Sequence, residues 1–233
     1  MEELIQTGKP VVLVIFGGRA QIVSGLAERC AAVIQAWYPG EEGGNAVADI
    51  LYGKVSPSAK LSVSYPNTEV NEPICYNYTD KQDARIQWPF GYGLSYTTFE
   101  YSNLKADAEV PTSNQYVNLS FEVKNTGKIA ADEIVQIYLS PTSSEQPLRP
   151  IQLQGFARVS LKPGESKTVQ VKLQTEQFGF YSHEGQRQWN IHPGQYIIKV
   201  GSSSVDIKLQ ETVTLKGEPI VKPLREYYFS ECS

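Results

Sequence analysis

A change of hydrophobic periodicity part-way along the chain constrains its fold more than any other feature. Residues 11–16 read VVLVIF with no polar alternation, the pattern of a strand covered on both faces in a mostly parallel sheet. Residues 117–123 read VNLSFEV, apolar and polar in strict turn, as in a strand with one face in a core and one in solvent. One layer architecture does not accommodate both patterns. A length of 233 residues, at roughly 150 per domain, leaves room for two small units. The sequence therefore predicts an α/β unit followed by an all-β one.

Behind the first strand, Gly17-Gly18 marks a turn, and Ile22, Leu26, Cys30, Ala31, Val33 and Ile34 recur at helical spacing. Residues 32–37 (AVIQAW) can return as a second strand, ended by the turn pair Pro39-Gly40. This is one βαβ unit. A second helix is expected through Ala46, Val47, Ile50 and Leu51, stopping at Gly53 as helices often stop at a glycine. Residues 1–66 thus read as a partial α/β sandwich with a mostly parallel sheet. Between 67 and 98 the periodicity fails while Tyr76, Tyr78, Trp88, Phe90, Tyr92 and Tyr96 accumulate, which indicates an ordered connector rather than a Gly/Ser linker. Over 99–233, short strands at 117–123, 134–139, 156–161, 167–173, 188–191 and 196–200 are separated by turns at Asn125-Thr126-Gly127, Pro163-Gly164 and Pro193-Gly194. About seven such strands predict an immunoglobulin-like sandwich followed by a tail.

Charge and motif content remove several function classes. Lys+Arg 21 against Asp+Glu 25 gives a net charge of −4, so no positive excess is present to neutralise a phosphate backbone, and no nucleic-acid partner is expected. The longest apolar run falls far short of the about 20 residues that span a bilayer, and no membrane partner is expected. Cys30, Cys75 and Cys232 lack CxxC or CxxH spacing, and His183 and His192 are too few and too separate for a metal site. Gly17-Gly18-Arg19 after a strand could attract an anion, but neither GxGxxG nor GxxxxGK[ST] occurs, and a G-x-S-x-G nucleophile elbow is also missing. No cofactor is expected. Met1-Glu2-Glu3 is acidic where a secretory signal starts basic.

Gly8-Lys9-Pro10-Val11-Val12-Leu13-Val14, then Ala36-Trp37-Tyr38-Pro39-Gly40-Glu41-Glu42-Gly43-Gly44-Asn45-Ala46, then Leu51-Tyr52-Gly53-Lys54-Val55-Ser56-Pro57-Ser58-Ala59-Lys60-Leu61 together resemble the second half of the α/β sandwich domain of glycoside hydrolase family 3. Trp88-Pro89-Phe90-Gly91-Tyr92-Gly93-Leu94-Ser95-Tyr96-Thr97-Thr98-Phe99 resembles that family's connector into its fibronectin type III-like domain. Lys124-Asn125-Thr126-Gly127, Gly155-Phe156-Ala157-Arg158-Val159 and Leu161-Lys162-Pro163-Gly164-Glu165-Ser166 continue the likeness. The resemblance implies the C-terminal portion of an exo-acting β-glycosidase of the β-glucosidase or β-xylosidase type, acting on a β-linked oligosaccharide or glycoside. Members of the family begin with a (β/α)8 barrel that supplies an aspartate nucleophile, and the acid/base of many is a glutamate upstream of the segment matching Gly8. By that resemblance no residue here is catalytic, and the chain alone is expected to be inactive. Its expected partner is the barrel domain, with self-association possible through the exposed α/β half. A periplasmic or secreted location is expected for the complete enzyme.

The substrate-binding candidates are Arg19, Glu41 and Glu42. Retaining glycosidases need two carboxyl groups about 5–5.5 Å apart, yet Glu41 and Glu42 are neighbours on one turn and their side chains should diverge. The simpler reading puts a carboxylate at the start of the following helix, accepting backbone N–H groups or facing the helix dipole. A border position on a barrel cleft is the alternative for them and for Arg19. Trp37, Tyr38, Trp88, Phe90, Tyr92 and Tyr96 could stack on sugar rings, but packing at a domain junction is the simpler expectation. Asn77-Tyr78-Thr79 and Asn118-Leu119-Ser120 match the glycosylation triplet, which is common by chance. Two non-enzymatic readings remain open: a carbohydrate-binding or adhesion module, and a structural accessory subunit completing a barrel on another chain.

Overall fold

The computed structural model describes residues 1–69, 74–77, 85–142, 148–182, 187–228 and 230–233. The first part comprises α1 (Glu2–Gln6), β1 (Val12–Phe16), α2 (Ser24–Ala27), β2 (Ala32–Trp37) and α3 (Gly43–Leu51). Strands β1 and β2 pair in parallel, Val12 opposite Ala32 and Phe16 opposite Trp37, with an irregularity after Ile15. The βαβ connection is therefore present. Its helix, however, is only α2, much shorter than the spacing from Ile22 to Ile34 suggests. Gly25 weakens it from within, and the amide of Ala31 already donates to the Val11 carbonyl (2.8 Å), so Val33 and Ile34 belong to β2. Helix α3 ends as expected, with Gly53 at φ +70°.

The run VVLVIF reads as covered on both faces, yet within these residues only Ile15 of β1 is buried, and Phe16 is 56% exposed. The cause is simple: the sheet formed here has two strands, too few to cover either face.

The connector holds β3 (Tyr65–Pro66) and β4 (Ile86–Trp88), an antiparallel pair. The sandwich follows with β5 (Phe99–Ala106), β6 (Glu109–Pro111), β7 (Tyr116–Asn125), β8 (Ala131–Pro141), β9 (Gln152–Leu161), β10 (Ser166–Gln174), β11 (Phe180–Tyr181), β12 (Trp189–Ile191), β13 (Gly194–Gly201), β14 (Ile207–Lys216), β15 (Ile220–Lys222) and β16 (Glu231–Cys232). One sheet runs β16-β10-β7-β5 and the facing one β6-β14-β13-β8-β9, with β11-β12-β15 as a small third sheet. Each expected strand is present, but β14 was not in the sequence reading; of its ten residues only Val213 and Leu215 are buried.

Strict alternation puts Val117, Leu119, Phe121 and Val123 of β7 against Val135, Ile137 and Leu139 of β8 and Ile198 and Val200 of β13 in one core that runs from Tyr101 to Leu215. Each such side chain contributes about 1.5–3 kcal/mol on burial. This core makes the sandwich the stable half. In residues 1–66 the buried apolar side chains are Ile15 and Tyr65 alone. No helix among the described residues is long and apolar enough to cross a membrane.

Candidate functional site

In a parallel pair the loops after β1 and β2 emerge at the same edge, the edge where open α/β sheets bind ligands. Arg19 lies in the first loop, and Tyr38, Glu41 and Glu42 in the second. The loops are tied together: the Gly17 amide donates to the Trp37 carbonyl (3.1 Å), and Gln35 Nε2 donates to the Gly17 carbonyl (2.9 Å). Trp37 takes φ +53°, a left-handed conformation that is costly for a bulky residue. It turns Tyr38 outward, 81% exposed, over Gly18, where a Cβ would meet the tyrosine ring at 2.6 Å. The three candidates therefore share one edge of the sheet.

Glu42 is the N-cap residue of α3, but its side chain makes no capping bond to the helix backbone. Its carboxylate instead accepts from Asn45 Nδ2 (2.6 Å). This corrects the expectation of a carboxylate bound to backbone N–H groups, although the charge still sits at the positive end of the helix dipole. Glu41 and Arg19 are exposed.

The aromatic residues divide. Trp37 meets Tyr65 edge-on (6.5 Å between centroids), Tyr65 meets Trp88 (5.6 Å), and Phe90 stacks on Tyr76 (4.1 Å). Trp37, Trp88, Phe90 and Tyr92 are half-buried, and the first three pack on other rings of residues 1–98. Tyr38 stands apart in solvent. Tyr96 is exposed but its hydroxyl donates to the Ile50 carbonyl (2.8 Å), joining the connector to α3. Tyr78 lies outside the described residues.

Below these rings is a polar network that the sequence reading missed. Lys60 Nζ lies 3.3 Å from Glu133 Oε2 and donates to the Gly93 carbonyl (3.0 Å), with the side chains only 10% and 4% exposed. Tyr101 donates to Glu133 Oε1 (2.8 Å), and burial followed by the Glu133 charge pushes its phenol well above the usual range. Gln136 Nε2 donates to the carbonyls of Gly91 (3.1 Å) and Ser202 (2.6 Å). The Ser204 amide donates to the Phe90 carbonyl (3.0 Å), the Gly91 amide to the Leu61 carbonyl (2.7 Å) and the Leu61 amide to the Tyr92 carbonyl (2.8 Å). Arg158 Nη1 donates to Ser58 Oγ (2.8 Å) and to Asp132 Oδ2 (2.9 Å). The network joins segment 58–61, the connector and the sandwich. One sequence signal for it existed: Glu133 falls in phase with the inward residues Val135, Ile137 and Leu139 of β8.

His192 meets Phe180 edge-on (5.0 Å), and His183 lies outside the described residues. Among the described residues no group of three or more His, Cys, Asp or Glu could hold a metal ion. Cys30, Cys75 and Cys232 form no disulfide with one another. Asn77 is buried, its amide donating to the Ile151 carbonyl (2.7 Å), and Asn118 Nδ2 donates to Asp107 Oδ2 (2.9 Å), so both triplet asparagines have their amides engaged.

Comparison with known proteins gives two family matches. Residues 1–96 match the glycosyl hydrolase family 3 C-terminal domain and residues 133–204 the fibronectin type III-like domain. A "Beta-xylosidase" of Formosa agariphila is 35% identical over 88% of this chain and 30% of its own length. A "Beta-glucosidase" of Kluyveromyces marxianus is 39% identical over 77% of this chain and 23% of its own length. Among solved structures, the beta-glucosidase of Listeria innocua in complex with glucose superposes with a TM-score of 0.84 at 32% identity, over 93% of this chain and 32% of that one. The chain thus spans about a third or less of the length of the relatives it matches.

Proposed function

Since the chain belongs to glycoside hydrolase family 3, of which it carries the C-terminal domain and the fibronectin type III-like domain, we propose that it serves as the non-catalytic C-terminal part of an exo-acting β-glycosidase of the β-glucosidase or β-xylosidase type. In this reading the barrel and the residues upstream of Gly8 in the family pattern supply the nucleophile and the acid/base. The 233 residues supply a braced surface. The sandwich holds the α/β unit through the Lys60–Glu133 network, and the loops bearing Arg19, Tyr38, Glu41 and Glu42 border the cleft that takes the β-linked glycoside.

The observation that carries this reading is the contrast between the two faces of the α/β unit. Toward the sandwich its polar groups are paired. Elsewhere Val12, Phe16, Ile22, Leu51 and Tyr52 are exposed, and Gln35 Oε1, the Tyr65 hydroxyl and Gln87 Oε1 are buried without a hydrogen-bond partner among the described residues. Each orphaned group costs about 1–3 kcal/mol, and a covering polypeptide would offset that cost and bury apolar area worth about 25 cal/mol per Å². The covering partner is the barrel side of the complete enzyme, and a second copy takes its place in isolation.

The test is a chimera in which this chain replaces the corresponding third of the Listeria innocua beta-glucosidase. Turnover of nitrophenyl β-glucoside by the folded chimera is expected. A folded chimera with no turnover would contradict the reading. The exposed ring of Tyr38 favours a second reading, a carbohydrate-binding module, which predicts that the chain alone is retained on insoluble β-glucan and that Tyr38→Ala abolishes retention.

A further inference from the structure

Residues beyond β14 do not belong to the segment that matches the fibronectin type III-like pattern, which ends at 204, yet they are tightly engaged. Strand β15 pairs with β12, Trp189 opposite Lys222. The chain then crosses the seam between the two main sheets and returns as β16 on the edge of β10, Lys172 opposite Glu231 and Val171 opposite Cys232. The Ser233 amide donates to the Gln170 carbonyl (2.9 Å) and the Gln170 amide returns a bond to the Ser233 carbonyl (2.7 Å). Ser230 Oγ donates to the Gln154 carbonyl of β9 (2.5 Å).

One buried carboxylate holds the crossing. Glu176, 4% exposed, accepts from the backbone amides of Glu226 (3.1 Å) and Tyr227 (2.7 Å) through Oε2 and lies 2.9 Å from Lys222 Nζ through Oε1. The Arg225 guanidinium sits between the Trp189 and Tyr228 rings, 5.0 and 4.7 Å from their centroids. The Lys222 ammonium also pairs with Glu226 (3.3 Å). A buried carboxylate without these partners is costly, so its bonds are made or lost together.

The geometry points to a latched strap: residues 223–228 and 230–233 guard the β10 edge, and breaking the latch at Glu176 frees β16 to pair with β10 of a second copy of this chain. One general property of strand edges and two observations favour that occupant. An uncovered strand edge is a template for another strand. The β10 edge already accepts β16 in a defined antiparallel register, so a second copy supplies an identical strand and every contact is re-formed. The segment between β15 and β16 has no regular structure over 223–228 and exposes Leu224, Tyr227 and Tyr228, which suits a hinge for exchange of an element between copies.

The experiment uses the full chain with Cys30, Cys75 and Cys232 replaced by alanine and the exposed register partners changed together, Lys172→Cys and Glu231→Cys. With the latch intact, oxidation is expected to give a disulfide within one chain and a monomer on a non-reducing gel. Adding Glu176→Gln is expected to raise the disulfide-linked dimer fraction several-fold, increasingly at higher chain concentration, with sandwich circular dichroism retained. Should Glu176→Gln not fold, Lys222→Gln weakens the same latch from its more exposed side and carries the same expectation. Folded latch variants that give only the intrachain disulfide, or that associate without linking 172 to 231, would overturn the proposal.

Discussion

Lys60 and Glu133 are withdrawn from water together, and their worth lies in what happens when one is removed. Taking away either partner leaves a buried charge uncompensated, at a cost of about 3–5 kcal/mol, whereas replacing both by apolar groups forfeits much less. Lys60→Met is therefore expected to lower the urea midpoint sharply, and adding Glu133→Leu to restore most of it. Equal losses for single and double variants would show that the pair is not coupled. Asp132 is a milder case. The hydrogen bond from Arg158 holds its carboxyl below the usual range, so this contribution is present above an unfolded value of about 3.9 and disappears as pH falls through the lower folded value. Both side chains are partly exposed, which limits the effect to under about 1 kcal/mol. Arg158→Ala should thus destabilise slightly near neutrality and not in strong acid, as read from urea midpoints at the two pH values. The residue scale is also where the sequence is least legible. A lysine and a glutamate far apart in the chain read as solvated, and only the inward phase of Glu133 hints otherwise.

Elements were legible where a side-chain period had a core to answer to. The strand β7 stands where alternation puts it, β8, β10 and β13 stand where strands were expected between the turns, and α3 stops at its glycine, because in each case the local pattern and the packing agree. The helix α2 is where they disagree: β2 stands at Ala32–Trp37 as expected, but the helical spacing before it closes into a helix only over Ser24–Ala27. β14 was hidden because only Val213 and Leu215 of its ten residues are buried, which weakens the contrast that alternation depends on. The connector offers a sharper test of how a turn fixes two domains. Gly91 takes φ +80°, and a Cβ there would run into Gln136 Oε1. Gly91→Ala combines left-handed strain of about 1–2 kcal/mol with disturbance of the Gln136 hydrogen bonds at about 0.5–1.5 kcal/mol. A loss of roughly 2–3 kcal/mol is expected in chemical denaturation, and a loss below about 0.5 kcal/mol would mean that the connector is not locked at this point.

At the scale of the molecule, a well-filled sandwich carries an α/β unit with little core of its own. Its large exposed apolar side chains predict concentration-dependent self-association through residues 8–66, visible by sedimentation and suppressed by Phe16→Lys; a monomer throughout, with no dye-detectable apolar surface, would refute it. The fold class was legible from periodicity, and the family from its motifs. The exposed α/β half was legible only through the resemblance, because a strand's own sequence records the neighbours it needs and not whether they pair with it. We propose that Arg19, Glu41 and Glu42 border a site whose chemistry belongs to other residues: hydrolysis with retention needs a nucleophile and an acid/base facing each other across the bond, and Glu41 and Glu42 are neighbours on one turn. The direct measurement is turnover of nitrophenyl β-glucoside and β-xyloside by the purified chain alone. No rate above buffer is expected; turnover that is lost in Glu41→Gln or Glu42→Gln would show that these carboxylates carry the chemistry themselves.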